Sequence, residues 1–337
     1  MTAIVRSRRV ARSALVVAFG VLSVPVHASA QVPTTSISPA EAKRIVREYS
    51  KINSANNASL SVEGQAGIEA APILLIDDTT FREYQGRGER TLDEDARVDQ
   101  VRVFVPEQTG YPRQFLATER VTSDGSKYRQ VLVFVQAAEG DAWKVTMAAQ
   151  MDASVRLPRP LVDRDGASRL VDADHAGDLV ARPEALGAEL AQAWTRANGE
   201  ERAPSAVFAD GPLTSGVIDA FINRLAGTGV TAEVDFQFAP ADEYPAVGYR
   251  TEGGGALVLF AVDTRELLRP IDGEGALEQP ESRETLGGLV LPGRYASVIY
   301  DRIALVVASV PPEGGKARAT ALGLYDGTVA VEVVPSG

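Results

Sequence analysis

The chain has 337 residues, 45% of them hydrophobic and 23% charged, and a net charge of −11 at pH 7. That length can carry more than one hydrophobic core, and the composition is that of an ordinary folded chain. The acidic balance argues against nucleic acid and anionic lipid as partners, and the absence of cysteine excludes disulfides, thiol catalysis, Cys-ligated metals and a lipid-bearing cysteine within this sequence.

Residues 1–30 read as a signal peptide. Arg6, Arg8, Arg9 and Arg12 precede the apolar run Ala14–Leu22, and Ala28-Ser29-Ala30 supplies an A-x-A cleavage site. The run falls short of the roughly 20 apolar residues of a membrane span. Export is therefore expected, with Gln31 as the new N-terminus and no anchoring through Cys.

A first α+β unit is expected over residues 36–151. Ser38-Pro39-Ala40-Glu41 forms a capping box, and Ile45, Val46, Tyr49 and Ile52 follow at helical spacing. The helix is expected to fade at Asn53, Asn56 and Asn57, with a second short helix or a helical extension through Leu60 and Val62, limited by Gly64 and Gly67. Ile73–Ile76 is a short apolar run ended by Asp77-Asp78. Asp99–Val105 alternates, with Val101, Val103 and Val105 inward and Arg102 and Phe104 outward, and Pro112–Val121 is the next strand. Tyr128–Met151 then reads as a hairpin about Glu139-Gly140-Asp141. Its first arm is apolar on both faces, as in the middle of a covered sheet, and Trp143, Val145 and Met147 share one face of its second arm.

Residues 152–182 are read as an ordered linker or lapped strand, punctuated by prolines and aspartates. A second α+β unit follows over 183–335. Pro183 opens a helix through Leu186, Leu190 and Trp194, and Thr214 or Ser215 opens another through Val217 and Phe221 to Gly227. Val230–Phe238 alternates as a half-buried strand. Ala246–Arg250, Ala256–Val262, Arg294–Val310, Ala317–Leu324 and Thr328–Val334 are further strands. Glu274–Gly288 is a loop, and Gly253-Gly254-Gly255, Pro311–Gly315 and Asp326-Gly327 are turns. Helices followed by strands, twice over, indicate an α+β duplication.

With this layout the chain resembles a family of secreted proteins and lipoproteins of actinobacteria that carry a long extracellular domain of unknown function. The residues that carry the resemblance are Ser38-Pro39-Ala40-Glu41-Ala42 continuing to Tyr49, Leu132-Val133-Phe134, Trp143-Lys144-Val145, and Leu157-Pro158 with Val162-Asp163-Arg164-Asp165-Gly166. The resemblance implies tandem cystatin-like or NTF2-like units, each a helix laid on a curved antiparallel sheet. It implies no activity. Many relatives begin with a lipid-anchored cysteine, which this sequence lacks.

No constellation in the sequence assigns a chemistry. Asp163, Asp165, Gly166 and Asp172 match part of a calcium loop, but Leu161 stands where the first ligand belongs, so a turn with Asp-capped amides is the simpler reading. His175 is the only histidine beyond the signal segment, so a two-histidine zinc site is excluded, and a Ser–His–Asp triad would have to use it without a G-x-S-x-G elbow. Tyr49, Tyr84 and Trp143 are candidate linings for a cone-shaped cavity, Trp143 being first a packing residue. No pair of carboxylates stands out for acid–base work. Catalytic and metal-ligating residues are thus expected to be none, binding residues unknown and cofactors none.

Two functions remain in view. One is a non-enzymatic exported module that binds an envelope protein or wall component or acts as a scaffold. The other is a small-ligand carrier or enzyme that uses a cone pocket. A solvent-connected cavity above about 300 Å³ holding a buried carboxylate or tyrosine favours the second.

Overall fold

The computed structural model describes residues 34–35, 37–92, 96–123, 125–198, 205–226, 231–271, 275–283 and 285–337; the expected signal peptide lies outside them. No helix among the described residues is long and apolar enough to cross a membrane.

β1 (Thr34–Thr35) leads into α1 (Pro39–Ser59), α2 (Val62–Ile68) and α3 (Ile73–Gly86). The Ser38 hydroxyl accepts the Glu41 N–H at 3.1 Å, as the capping box requires, and Leu60 closes α1 in the left-handed conformation. β2 (Arg97–Phe104), β3 (Glu107–Gln108), β4 (Arg113–Ser123), β5 (Ser126–Gln136) and β6 (Lys144–Asp152) follow. After the 152–182 segment come α4 (Leu186–Asn198) and α5 (Val217–Ala226). The chain then forms β7 (Glu233–Pro240), β8 (Val247–Arg250), β9 (Ala256–Arg269), β10 (Leu277–Gln279), β11 (Gly293–Val310) and β12 (Thr320–Pro335).

The fold is α+β, with helices on an antiparallel sheet. Strands of both halves join in one sheet of order β2-β4-β5-β6-β12-β11-β9-β7; β10 pairs with β11 and β8 with β9, while β1 and β3 pair apart from it. The halves meet at β6 and β12 through the single registered pair Leu324↔Gln150. A Cβ at position 323 would lie 2.6 Å from the Gln150 carbonyl oxygen, so Gly323 is what admits this approach.

Alternation along β9 and β11 explains the layering. Val258, Phe260, Ala304 and Val306 face Leu190, Trp194 and Phe221 of α4 and α5. On the opposite face, Ala261, Ile303 and Leu305 join Ala42, Val46, Ile73, Phe115 and Phe134 beneath α1 and α3. Leu257, Leu259 and Val307 instead join Leu116, Val131, Val133 and Met147 on the far side of β4–β6. Both faces of the central hairpin are therefore buried, in separate clusters. The 152–182 segment laps beside β8, with Leu161 N–H bonded to the Arg250 carbonyl at 2.7 Å and Val171 N–H to that of Gly248 at 2.8 Å.

Several local expectations are corrected. Asp77-Asp78 does not end an apolar run but lies inside α3. Asp326-Gly327 is not a turn but lies within β12. There the glycine admits a helix, since a Cβ at 327 would sit 2.2 Å from Ile76 Cγ2 of α3. Val145 and Met147 do not share a face, because a register shift places Val133 opposite Met147 and Phe134 opposite Val145, a bulge that turns the second arm. Phe104 faces away from Val103, as expected, but that face is buried there in a second cluster. The 274–288 loop contains β10.

Candidate functional site

The inner stripe of α1 changes character along its length. Ala42 and Val46 are buried and apolar; Tyr49, Asn53 and Asn56 continue the same face as polar groups. Apolar packing thus gives way, in one helix, to the wall of a cavity of about 370 Å³ between α1, α3 and the sheet. Its lining includes Tyr49, Ser50, Asn53, Asp77, Glu119 and Tyr325, and the half-buried rim residues Asn57, Leu92, Ser123 and Tyr128 open it to solvent.

Behind this lining runs a buried hydrogen-bond network. Asn56 Nδ2 donates to Gln65 Oε1 at 3.0 Å, and Gln65 Nε2 donates to Asn53 Oδ1 at 2.8 Å and to Asp77 Oδ2 at 3.2 Å. Tyr325 donates its hydroxyl to Asp77 Oδ1 at 2.5 Å, and Tyr49 donates to Glu69 Oε1 at 2.7 Å. Glu69 caps the end of α2 and is fully buried, and Asp77 is 7% exposed. Glu69 Oε2 finds no donor among the described residues, and the Asp77 charge acts on the Glu69 carboxyl.

Burial, together with the Asp77 charge, holds the Glu69 carboxyl well above the usual carboxylate range. Asp77 is raised by burial and partly restored by the hydrogen bonds from Tyr325 and Gln65. Two carboxyls buried in one low-dielectric site each disfavour the other's ionisation. The hydroxyls of Tyr49 and Tyr325 are raised by burial and by these acids, and stay protonated donors. Glu119 stands apart on β4 and accepts the Ser50 hydroxyl at 2.8 Å; burial pushes its carboxyl up to about 7. The site thus holds protons that can move near neutral pH, a property that clusters where function is performed.

The sequence-derived candidates fall as follows. Tyr49 lines the cavity. Tyr84 lies instead under the Arg87 guanidinium, 4.5 Å from its ring centroid, and Trp143 packs on Phe115 at 5.0 Å. Asp163 Oδ1 accepts the N–H groups of Asp165 at 3.0 Å and Ala167 at 2.9 Å, with Gly166 at φ +88°, forming a capped turn. His175 lies in the 3-10 helix Ala173–Asp178. Among the described residues, no three His, Cys, Asp or Glu side chains gather at metal-binding distance. The Gly253–Gly255 run joins β8 to β9.

Sequence reasoning missed Glu69, Asp77, Glu119 and Tyr325. One signal was present for Asp77. It shares helical spacing with Ile73, Ile76 and Phe81, and so places a carboxylate on the buried face of an amphipathic helix.

A family model described as a domain of unknown function, DUF8094, matches residues 33–332. The chain belongs to this family. Among curated relatives, an uncharacterized lipoprotein of Streptomyces avermitilis is 33% identical over 46% of this chain and 44% of its own length. Two uncharacterized lipoproteins of Streptomyces coelicolor are 22% identical over 67% of this chain and 64% of theirs, and 28% identical over 76% and 77%. The match thus spans less than two thirds of the first two relatives' length. No solved structure matches the chain. The actinobacterial resemblance read from the first helix and the central hairpin is the family found.

Proposed function

We propose that the chain is an exported protein of the cell exterior that binds a small polar ligand in the cavity between α1, α3 and the sheet. The lipoprotein names of its relatives and the signal-like start of the sequence support the location. The observation that carries the binding reading is the cavity itself: about 370 Å³, open at its rim, with Tyr49, Asp77, Glu119 and Tyr325 in its wall. Pockets of this size with a few convergent polar groups and perturbed acids are the usual form of a ligand site.

Among the described residues the lining contains no Arg, Lys or His, so an anion gains nothing from them. A ligand bearing an amine supplies the counter-charge that buried Glu119 and Asp77 lack, and hydroxyls suit the surrounding Ser, Asn and Gln side chains. The ligand class is therefore a small amine or amino sugar. We also infer a tandem origin of the cystatin-like or NTF2-like kind, with units at 36–151 and 183–335 and a linker at 152–182. In support, each half runs helices and then four main strands in sheet order, β2-β4-β5-β6 and β7-β9-β11-β12.

Calorimetric titration with glucosamine, glucose and glucuronate tests the site. Affinity is expected to fall in that order, to rise for glucosamine as pH passes 7, and to disappear in Ser54→Trp, which fills the cavity. Failure of a wider panel of amines and polyols to saturate the protein, or binding indifferent to Ser54→Trp, overturns the pocket reading and leaves an envelope-protein or wall-component scaffold in its place.

A further inference from the structure

The outer face of β2, β4 and β5, opposite the cavity, carries a second feature with the reverse charge. Along β4, Glu119 faces inward to α1 while the adjacent Arg120 faces outward, as the two-residue period of a strand requires. Arg102 of β2, Arg120 of β4 and Arg129 of β5 share this outer face. Arg120 and Arg129 are directly paired across the ladder, and Arg102 is one diagonal step from Arg120, since Gln100 pairs Arg120 and Arg102 pairs Thr118.

The 154–160 segment passes over these strands and adds Arg156 and Arg159, enclosing a groove of about 400 Å³. Arg129 Nη1 donates to the Val155 carbonyl at 2.9 Å and so holds the strap down. The strap includes Leu157-Pro158, one of the motifs that carries the family resemblance.

Like charges directly opposite on neighbouring strands destabilise a sheet. Here five arginines converge in a protein of net charge −11. Glu119, the one acid in the groove wall, turns its carboxylate away to Ser50. Arg159 is paired with Glu252 at 3.3 Å, whereas Arg102, Arg120 and Arg156 make no ion pair among the described residues. Among the described residues nothing neutralises these three, and burial by the strap does not consume their donors, because all three are exposed.

Guanidinium forks match tetrahedral oxyanions with paired hydrogen bonds, and several forks around one groove match an anion with at least two charges. We propose that this groove is a binding site for a small phosphate-bearing ligand. Arg102, Arg120 and Arg156 hold the phosphate oxygens, and the rest of the ligand lies under the strap toward the adjoining cleft of about 590 Å³ that shares Arg156–Arg159. The site is independent of the helix–sheet cavity and faces the other side of the same strands.

The test is calorimetric titration of the whole exported protein with inorganic pyrophosphate at low salt. Saturable binding is expected, weakening by roughly tenfold or more in Arg120→Ala and in Arg102→Ala, since each substitution removes charge-assisted bonds. Arg120→Lys keeps the charge without the fork and is also expected to bind more weakly, which covers the case of an alanine variant that fails to fold. Arg44→Ala, at an exposed pair with Glu48 on α1, is expected to bind as the parent does. Absence of saturation at pyrophosphate concentrations up to about 10 mM, which corresponds to a free energy weaker than about −2.7 kcal/mol, overturns the proposal. So does binding that is equal in all the variants. Binding to phosphatidylglycerol vesicles with pyrophosphate inert overturns the small-ligand assignment in favour of a membrane surface.

Discussion

Replacing Glu119 by glutamine is expected to change how stability depends on pH. The side chain is 3% exposed, and burial raises its carboxyl from 4.5 to about 7. Between those values the folded chain holds a proton that the unfolded chain has released. The contribution of Glu119 to stability is therefore fully present below about pH 4.5 and is lost as pH rises to about 7. A shift of this size corresponds to about 3 kcal/mol, at ~1.4 kcal/mol per unit. The glutamine variant cannot lose it. Its amide oxygen can still accept the Ser50 hydroxyl that Glu119 Oε1 accepts at 2.8 Å, and placing the extra NH₂ costs a pH-independent amount. Urea unfolding of both proteins from pH 4 to pH 8 reads the difference. The variant is expected to gain about 3 kcal/mol relative to the parent across that range. Parallel profiles, with the gap constant to within about 0.5 kcal/mol, would show that Glu119 ionises normally and that the cavity wall is not the low-dielectric surface inferred for it.

Three further outcomes are expected. Tyr325→Phe removes the donor to Asp77 Oδ1 and should cost about 1–3 kcal/mol in denaturant unfolding, with no change if the carboxyl finds water instead. Gly327→Ala drives a methyl against Ile76 Cγ2 and should cost about 1–3 kcal/mol. In an Ile76→Ala background the same change should cost much less, so additive losses would refute the close approach of α3 and β12. N-terminal sequencing of the exported protein should begin at Gln31; a start at Met1 would refute cleavage.

Local patterns in the sequence were sufficient for many elements. The Ser38–Glu41 box opens α1, the alternation of Val131–Val135 buries both faces of β5, and the Gly253–Gly255 run turns β8 into β9, because each is decided by neighbours a few residues away. Asp-Gly at 326–327 misled for the opposite reason. The pair has turn chemistry, but its glycine answers to Ile76, which lies 251 positions earlier in the chain, and no local pattern reports that. Likewise Asn53, Asn56 and Asn57 read as a fading helix. Only packing showed that they continue α1, with Asn53 and Asn56 bonded to the buried Gln65 of α2.

The tertiary structure alone decided the site. Glu69 ends one helix, Asp77 lies within the next, Glu119 sits on β4 and Tyr325 on the last strand, and each is unremarkable by itself among 45 acidic residues and nine tyrosines. Folding brings Asp77, Glu119 and Tyr325 to one cavity, with Glu69 behind its wall, and removes water from them, which is what raises their proton affinity. The sequence by itself determined an α+β chain with a signal-like start and no cysteine. Which of its many acids lose their solvent, and which arginines line up across three strands, depends on strand register and helix placement, and those are properties of the assembled sheet.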